Sequence, residues 1–203
     1  KWNRGMDINT LSNALSLHAD VFYDMREGIF LARGDLPWYV GMTNMPLGNL
    51  GKVKNKGFEV SAEYKKQFND EWFLSLMANC SFNRNQVVDN DVKYAYPWLD
   101  VRGQRVGQRY GYIAEKLFDS DEEVAASAYQ SGDTRAGDIK YKDLNGDGKI
   151  DQYDKAPIGW GSVPEIMYGF GFSLAYKGWS LSAMFQGAGH VDVHVGGVGV
   201  SPF

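Results

Sequence analysis

Five stretches of this sequence alternate apolar and polar side chains with a period of two. That period belongs to extended chain, where successive side chains leave on opposite faces. In 14–25 the odd positions Leu15, Leu17, Ala19, Val21 and Tyr23 are apolar. The even positions Ser16, His18, Asp20 and Asp24 are polar, with Phe22 as the exception. Residues 57–66 set Phe58, Val60, Ala62 and Tyr64 against Glu59, Ser61, Glu63 and Lys65. Residues 71–83 set Trp72, Leu74, Leu76, Ala78, Cys80 and Phe82 against Ser75, Asn79, Ser81 and Asn83. In 165–176, Ile166, Tyr168, Phe170, Phe172 and Leu174 oppose Met167, Gly169, Gly171, Ser173 and Ala175. After Lys177-Gly178, Trp179, Leu181, Ala183 and Phe185 oppose Ser180, Ser182, Met184 and Gln186. Turns at Ser12-Asn13, Phe68-Asn69-Asp70 and Lys177-Gly178 predict antiparallel hairpins.

These runs are about ten to twelve residues long, against the usual five or six. The connections fall into two classes. Three are short turns, whereas Arg26 to Lys56 and Gln86 to Pro164 are long. Long strands with short turns at one end and long loops at the other fit a transmembrane β-barrel. Tyr64, Phe68, Trp72, Tyr176 and Trp179 gather beside the short turns, where an interfacial girdle sits. Gly169, Gly171, Ser173, Ser180 and Ser182 on the other face suit a polar lumen or a plug packed close to the wall. A soluble β-sandwich shares the alternation, but not the strand length or the loop asymmetry.

The second strong pattern is 143–154, Asp-Leu-Asn-Gly-Asp-Gly-Lys-Ile-Asp-Gln-Tyr-Asp. Oxygen side chains fall at positions one, three, five, nine and twelve: Asp143, Asn145, Asp147, Asp151 and Asp154. Gly148 holds the turning position, Lys149 supplies a carbonyl at position seven, and Ile150 is the apolar anchor. This is EF-hand spacing with Asp in place of the final Glu, so calcium with a structural role is the expected cofactor. The bland alternative is a solvated Asp/Asn/Gly turn. Residues 137–141 read as extended chain, and Pro157 and Gly159 forbid a long helix after the loop. The loop therefore reads as a calcium staple within a β protein. Ser120-Asp121-Glu122-Glu123 opens a short helix to about Ala126.

Composition narrows the classes. The chain of 203 residues carries a net charge of −4 and no basic stripe, so a nucleic-acid partner is not expected. Its single cysteine permits no internal disulfide. No apolar run has transmembrane-helix length. Lys1 at the head and the apolar, Gly-rich close lead to the expectation of a fragment or a mature piece.

The sequence resembles the SusC/RagA family of TonB-linked outer-membrane proteins. The matching pieces are Asn55-Lys56-Gly57-Phe58-Glu59, Tyr110-Gly111-Tyr112, Leu117-Phe118, Gly137 through Asp143, the calcium-type loop, Pro157-Ile158-Gly159, Pro164 and Tyr168-Gly169-Phe170. The run from Gly137 through Gly159 is the most specific, and the resemblance covers nearly the whole chain. It implies an all-β fold: antiparallel hairpins of a large transmembrane barrel of about twenty-two strands. About six of these strands, the C-terminal barrel portion, would be present, with 86–164 as a long extracellular loop. It also implies a transporter importing glycans or peptides, with a SusD-like surface lipoprotein, TonB acting through parts not in this sequence, and outer-membrane lipid around the wall. No plug, TonB box or final barrel strand is found, so this piece alone should transport nothing.

Other chemistry is weaker. His190, Asp192 and His194 alternate and could bind zinc from one strand face, but polar lumen or loop positions are the simpler reading. His18 reads as a lumen residue. Asp119, Asp121, Glu122 and Glu123 mimic a carboxylate pair yet sit at a helix start, where acids belong anyway. Cys80 reads as apolar packing. Trp38, Tyr39, Tyr94, Tyr96 and Trp98 could stack on sugars, though loop packing is favoured. No nucleophile motif supports an enzyme. The alternatives to a transporter are a secreted soluble β-domain with a calcium-stapled loop that binds carbohydrate, and a glycan-degrading enzyme fragment. A soluble domain must cover the faces carrying Leu74, Leu76, Phe170 and Phe172; a barrel wall leaves them bare.

Overall fold

The computed structural model describes residues 1–34, 36, 39, 41–193 and 195. In chain order its elements are β1 (Trp2–Thr10), β2 (Leu15–Ala32), β3 (Leu47–Asn69), β4 (Trp72–Asp89), β5 (Arg109–Gly111), β6 (Ala114–Leu117), α1 (Asp121–Ala126), β7 (Ile139–Tyr141), β8 (Ala156–Ile158), β9 (Ile166–Tyr176) and β10 (Trp179–Gly189). One antiparallel sheet runs β1-β2-β3-β4-β9-β10 and curls like half a barrel. The segment between β4 and β9 adds two small sheets, β5-β8 and β6-β7. Among the described residues no helix is long and apolar enough to cross a membrane, which says nothing about strands.

The turns obey their residues. Lys177 and Gly178 both take positive φ (45° and 82°), the mirror-image geometry whose twist matches a two-residue hairpin. The Asn69 side chain accepts from the backbone N–H groups of Glu71 and Trp72, both at 2.9 Å, and so closes the second hairpin. Leu11, Ser12 and Asn13 all adopt positive φ to join β1 to β2. The Arg26–Lys56 loop proves shorter than the sequence suggests. β2 continues to Ala32 and β3 begins at Leu47, with register shifts around Ile29 that broke the alternation.

Register turns alternation into two faces. Trp2, Tyr23 and Lys56 are opposite one another across β1, β2 and β3, as are Arg4, Val21, Phe58 and Phe82 across β1 to β4. Leu76, Phe172 and Ala183 align across β4, β9 and β10. That face is mostly apolar, with Arg4, Lys54, Lys56 and Arg84 toward its long-loop end. Leu76 is 43% exposed and Phe170 52%; Leu74 and Phe172 are half-buried. Among the described residues the buried apolar side chains are Phe118 and Ala156, and both belong to the layer between β4 and β9. The sheet thus has no core of its own, contrary to what a sandwich requires.

The bare band is bounded by rings. Trp72 and Tyr176 lie 4.2 Å apart beside the short turns, with Trp179 81% exposed next to them. Trp2 stacks on Tyr23 at the other end (centroids 6.2 Å apart). Ten residue steps separate Trp72 from Phe82. At roughly 3.4 Å per step and a tilt of about 40°, this spans about 26 Å, the height of a barrel's apolar belt.

The opposite face carries Asp7, Asp20, Asp24, Glu59, Glu63 and the small residues of β9 and β10. Phe22, the exception to alternation, has a reason: its ring lies across β3 over Gly57. A Cβ at Gly57 would stand 2.1 Å from the Phe82 carbonyl oxygen and 2.6 Å from the Phe22 ring. The aromatic covers a backbone that no side chain can occupy. Gly57→Val in the full-length protein that carries this sequence is therefore expected to abolish assembly, read as loss of the heat-modifiable band on gels. Phe22→Ala in the same background should not restore it, because the closer clash is with backbone.

Candidate functional site

The segment between β4 and β9 is a small folded layer secured at its base by Glu165. This side chain is 4% exposed. Arg105 Nε donates to its Oε1, Arg84 Nε lies 3.5 Å from the same oxygen, and His190 Nδ1 lies 3.1 Å from Oε2. Arg105 also lies over the Trp160 ring at 4.2 Å, and Trp160 stacks on His190 at 3.7 Å. Backbone bonds join the same parts: Asn83 N to Glu165 O at 2.8 Å, Val87 N to Gln104 O at 2.9 Å, and Gly103 N to Val87 O at 2.7 Å. Burial pushes the Glu165 carboxyl up, but the Arg105 and His190 bonds and the arginine charges outweigh it and leave the group below its ordinary value.

Asp192 is the companion clasp. Its carboxylate accepts from the N–H groups of Trp160 and Gly161, and its own N–H donates to Gly161 O at 2.7 Å. These backbone donors hold the Asp192 carboxyl below its ordinary value. The zinc reading fails here. β10 ends at Gly189, so His190 and Asp192 are past the strand, and each is committed elsewhere. His194 lies outside the described residues.

The layer has its own joints. Phe118 is buried, and its backbone pairs with those of Gly137 and Asp138. Ser120 caps α1 by accepting from Glu123 N at 3.3 Å. Glu123 in turn accepts from Asp119 N and pairs with Lys116 and Lys140 at 3.0 and 3.1 Å. The Asp119 N–H, then the two lysines, hold Glu123 at about 2. The acids at this helix start are a cap, not a catalytic pair. Tyr96 stacks on Trp98 at 4.7 Å and meets Tyr153 edge-on, while Trp98 Nε1 donates to Tyr153 O at 2.7 Å. Tyr94 takes a bond from Asn90. These aromatics pack the layer. Tyr39 is exposed, and Trp38 lies outside the described residues.

The 143–154 loop is wound around backbone donors. Asp143 accepts from Gly146 N at 2.7 Å and Gly148 N at 2.9 Å. Asn145 accepts from Asp147 N and donates to the Asp147 carboxylate at 2.9 Å; Asp147 accepts from Lys149 N at 2.9 Å. Asp151 accepts from Tyr153 N at 2.8 Å. Lys149 bridges to Tyr129, and Ile150 N donates to Tyr129 O at 2.8 Å. Asp154 is fully buried. It accepts from Leu144 and Asn145 through one oxygen and from Asp151 through the other. Among the described residues no three His, Cys, Asp or Glu side chains stand together as a metal cage.

On the polar face of the sheet, His18 lies between two carboxylates: Nδ1 meets Asp7, and Nε2 is 2.5 Å from Asp20. Cys80 is exposed on the apolar face. Sequence reasoning missed Glu165, Arg84, Arg105 and Trp160. Arg105 and Glu165 are 60 residues apart, and no local spacing connects them.

No family model matches the chain. Among curated proteins it is 28% identical over 195 residues to a TonB-dependent receptor of Formosa agariphila, covering 90% of this chain and 19% of that protein. A second receptor of that organism is 30% identical over 164 residues, covering 74% and 16%. The chain resembles a piece of a SusC/RagA-type TonB-dependent receptor. It spans about a fifth of the length of these receptors. Two solved structures of the RagAB peptide importer, in its closed-closed and open-open states, superpose with TM-scores of 0.63 and 0.65. Identity is 19% and 18%; each match covers 93% of this chain and about a fifth of that one. At that identity the likeness speaks for the fold alone: an antiparallel sheet curled as half a barrel, with a folded layer at its long-loop end.

Breaking a buried, charged cluster from one side costs about 3 kcal/mol or more. Glu165→Ala should therefore open the layer at its base, read as faster limited proteolysis within 105–160 while the strands stay protected. With the folded Glu165 value depressed, its contribution is complete above pH 4.5 and falls away as pH drops through the lower folded value. Protection of 105–160 should fade over that acid range in the unmutated protein, and should be weak at every pH in the variant.

Proposed function

We propose that this chain forms part of the wall of an outer-membrane, TonB-dependent importer of glycans or peptides that works with a SusD-like surface lipoprotein. The observation that carries the reading is the sheet's two-faced character. One face is a bare apolar band between aromatic rings, and the other is polar and acidic. Hydrocarbon covers the first without a protein partner, and an aqueous lumen suits the second. TonB would act through parts of the protein outside this sequence. The solved neighbours are described as a peptide importer, so peptides are the first cargo to test. The work is transport rather than bond chemistry.

The short turns then face the periplasm, and the layer between β4 and β9 faces the cell exterior, where it meets ligand or lid. In a Cys80→Ser background, Ser131→Cys should react with a membrane-impermeant thiol reagent on intact cells. Asn13→Cys should react only after the outer membrane is broken. The reverse pattern overturns the orientation, and labelling of both positions in intact cells overturns the membrane location.

Calcium in the 143–154 loop belongs to the same reading. Asp143, Asn145 and Asp147 spend one lone pair of each bonded oxygen on backbone N–H groups or, at one Asp147 oxygen, on the Asn145 amide, and keep others for a cation. With the Lys149 carbonyl and Asp151 they would hold the ion from the first nine loop positions. Asp154 is engaged by three backbone donors and would contribute least. The expected affinity is that of extracellular modules, about 10⁻⁴ to 10⁻³ M. A chelator should speed protease cleavage within 137–159, added calcium should reverse this, and Asp147→Ala should remove the response. Cleavage indifferent to both additions in the unmutated protein leaves the loop as a turn.

A further inference from the structure

Most acids of the paired strands stand on one face, where Lys65 also pairs with Glu63. Asp7, Asp20, Asp24, Glu59 and Glu63 all stand on the polar face, in register with His18 and Ser61. The apolar face carries cations instead. At its long-loop end Lys56 is opposite Tyr23, and Tyr23 is opposite Trp2. Lys54 is opposite Met25, one pleat further out, and Arg4 is opposite Val21, one pleat further in. Across β1, β2 and β3 the positions of that face near its rim are Trp2, Arg4, Val21, Tyr23, Met25, Lys54, Lys56 and Phe58, and the next acid outward, Glu27, is paired with Lys52. Among the described residues no carboxylate comes within ion-pair reach of Arg4, Lys54 or Lys56. Arg84, opposite Lys56, is turned to Glu165 and is already engaged. Lys54 and Lys56 are about 7 Å apart along the strand, and β1 lies about 10 Å from β3, so the three charges can converge on one group.

We propose that Arg4, Lys54 and Lys56, flanked by the stacked Trp2–Tyr23 pair, form a docking strip for the phosphorylated headgroup of an outer-leaflet lipid. The inference rests on the membrane reading above and adds the ligand chemistry of this rim. Position selects the partner. The cations border the apolar band where hydrocarbon ends, so their partner must present negative charge at the level of the headgroups. The aromatic pair is amphipathic and sits at that level. Long Lys and Arg stems lie along apolar surface while their heads reach outward, so even Arg4, set within the band, can rise to a phosphate. An acidic protein surface is the rival occupant.

The test uses the full-length protein, purified in detergent from outer membranes, with native mass spectrometry as the readout. The probes are a bisphosphorylated glycolipid, its dephosphorylated form and inorganic phosphate. The unmutated protein should retain the phosphorylated lipid at least about tenfold better than the dephosphorylated one, since each cation near an anionic headgroup contributes separately. Arg4→Gln/Lys54→Gln/Lys56→Gln should erase the preference, Lys56→Gln alone should weaken it, and Lys54→Arg/Lys56→Arg should keep it. An undiminished preference in the triple variant overturns the proposal, as does equal retention of both lipids by the unmutated protein; the latter leaves an acidic protein as the partner. Displacement of the lipid by millimolar inorganic phosphate overturns the lipid as the source. The heat-modifiable band in the outer-membrane fraction is read first. Its absence from the unmutated protein sinks the membrane reading, whereas its presence without phosphate preference sinks only this one.

Discussion

A β-sheet needs something apolar against at least one of its faces, and among the described residues this one has nothing of the kind. The buried apolar side chains lie in the layer between β4 and β9, not against the strands. Everything else follows from that requirement. A face that alternation makes apolar over six strands must be covered by hydrocarbon or by another protein. The backbone, meanwhile, must find all its hydrogen bonds within the sheet. Long strands, tight turns and cross-strand aromatics meet both demands. The polar face is free to carry ionised groups, and His18 held between Asp7 and Asp20 shows how such groups neutralise one another across β1 and β2.

The same logic explains why a large layer at one end does not disturb the wall. It joins the sheet through the backbone at the ends of β4 and β9 and through Glu165. Two arginines and a histidine surround that single carboxylate, and the Trp160 ring packs on Arg105 and His190. A buried charge of this kind is a poor source of net stability but a strong source of uniqueness, since any other position of the layer leaves it unpaired. Asp192 fixes the neighbouring turn in the same manner.

Strands and faces were legible in the sequence because both depend on neighbours two residues apart. Even Phe22 was visible as a break, although its partner Gly57 lies on another strand. The outer arms of β2 and β3 were hidden where the register shifts near Ile29 and the alternation lapses. The layer was the opaque part. Its strands are three or four residues long, too short for a period, and its joints link residues such as Trp98 and Tyr153 that are 55 positions apart. His190 and Asp192 misled for the complementary reason: a local alternation continued on paper past Gly189, where the strand stops. The motif at 143–154 gave the loop's turns correctly, but spacing says nothing of which donors the side chains choose.

Asp154 shows what that choice entails. In a twelve-residue loop of this spacing a long final acid can reach across to a cation. The shorter Asp instead sits inside the loop and gathers the N–H groups of Leu144, Asn145 and Asp151, drawing the start of the loop onto its end. The carboxylate thereby does part of the ordering that an ion does elsewhere. Two consequences separate. Asp154 closes the loop, which bridges to Tyr129 through Lys149 and reaches Tyr96 through Asn145. The dense negative charge of Asp143, Asp147 and Asp151 remains, and a cation there would relieve the repulsion and tighten the loop that Asp154 has closed. Asp154 and a cation would thus act on the same loop, while Glu165 secures the base of the layer to the sheet.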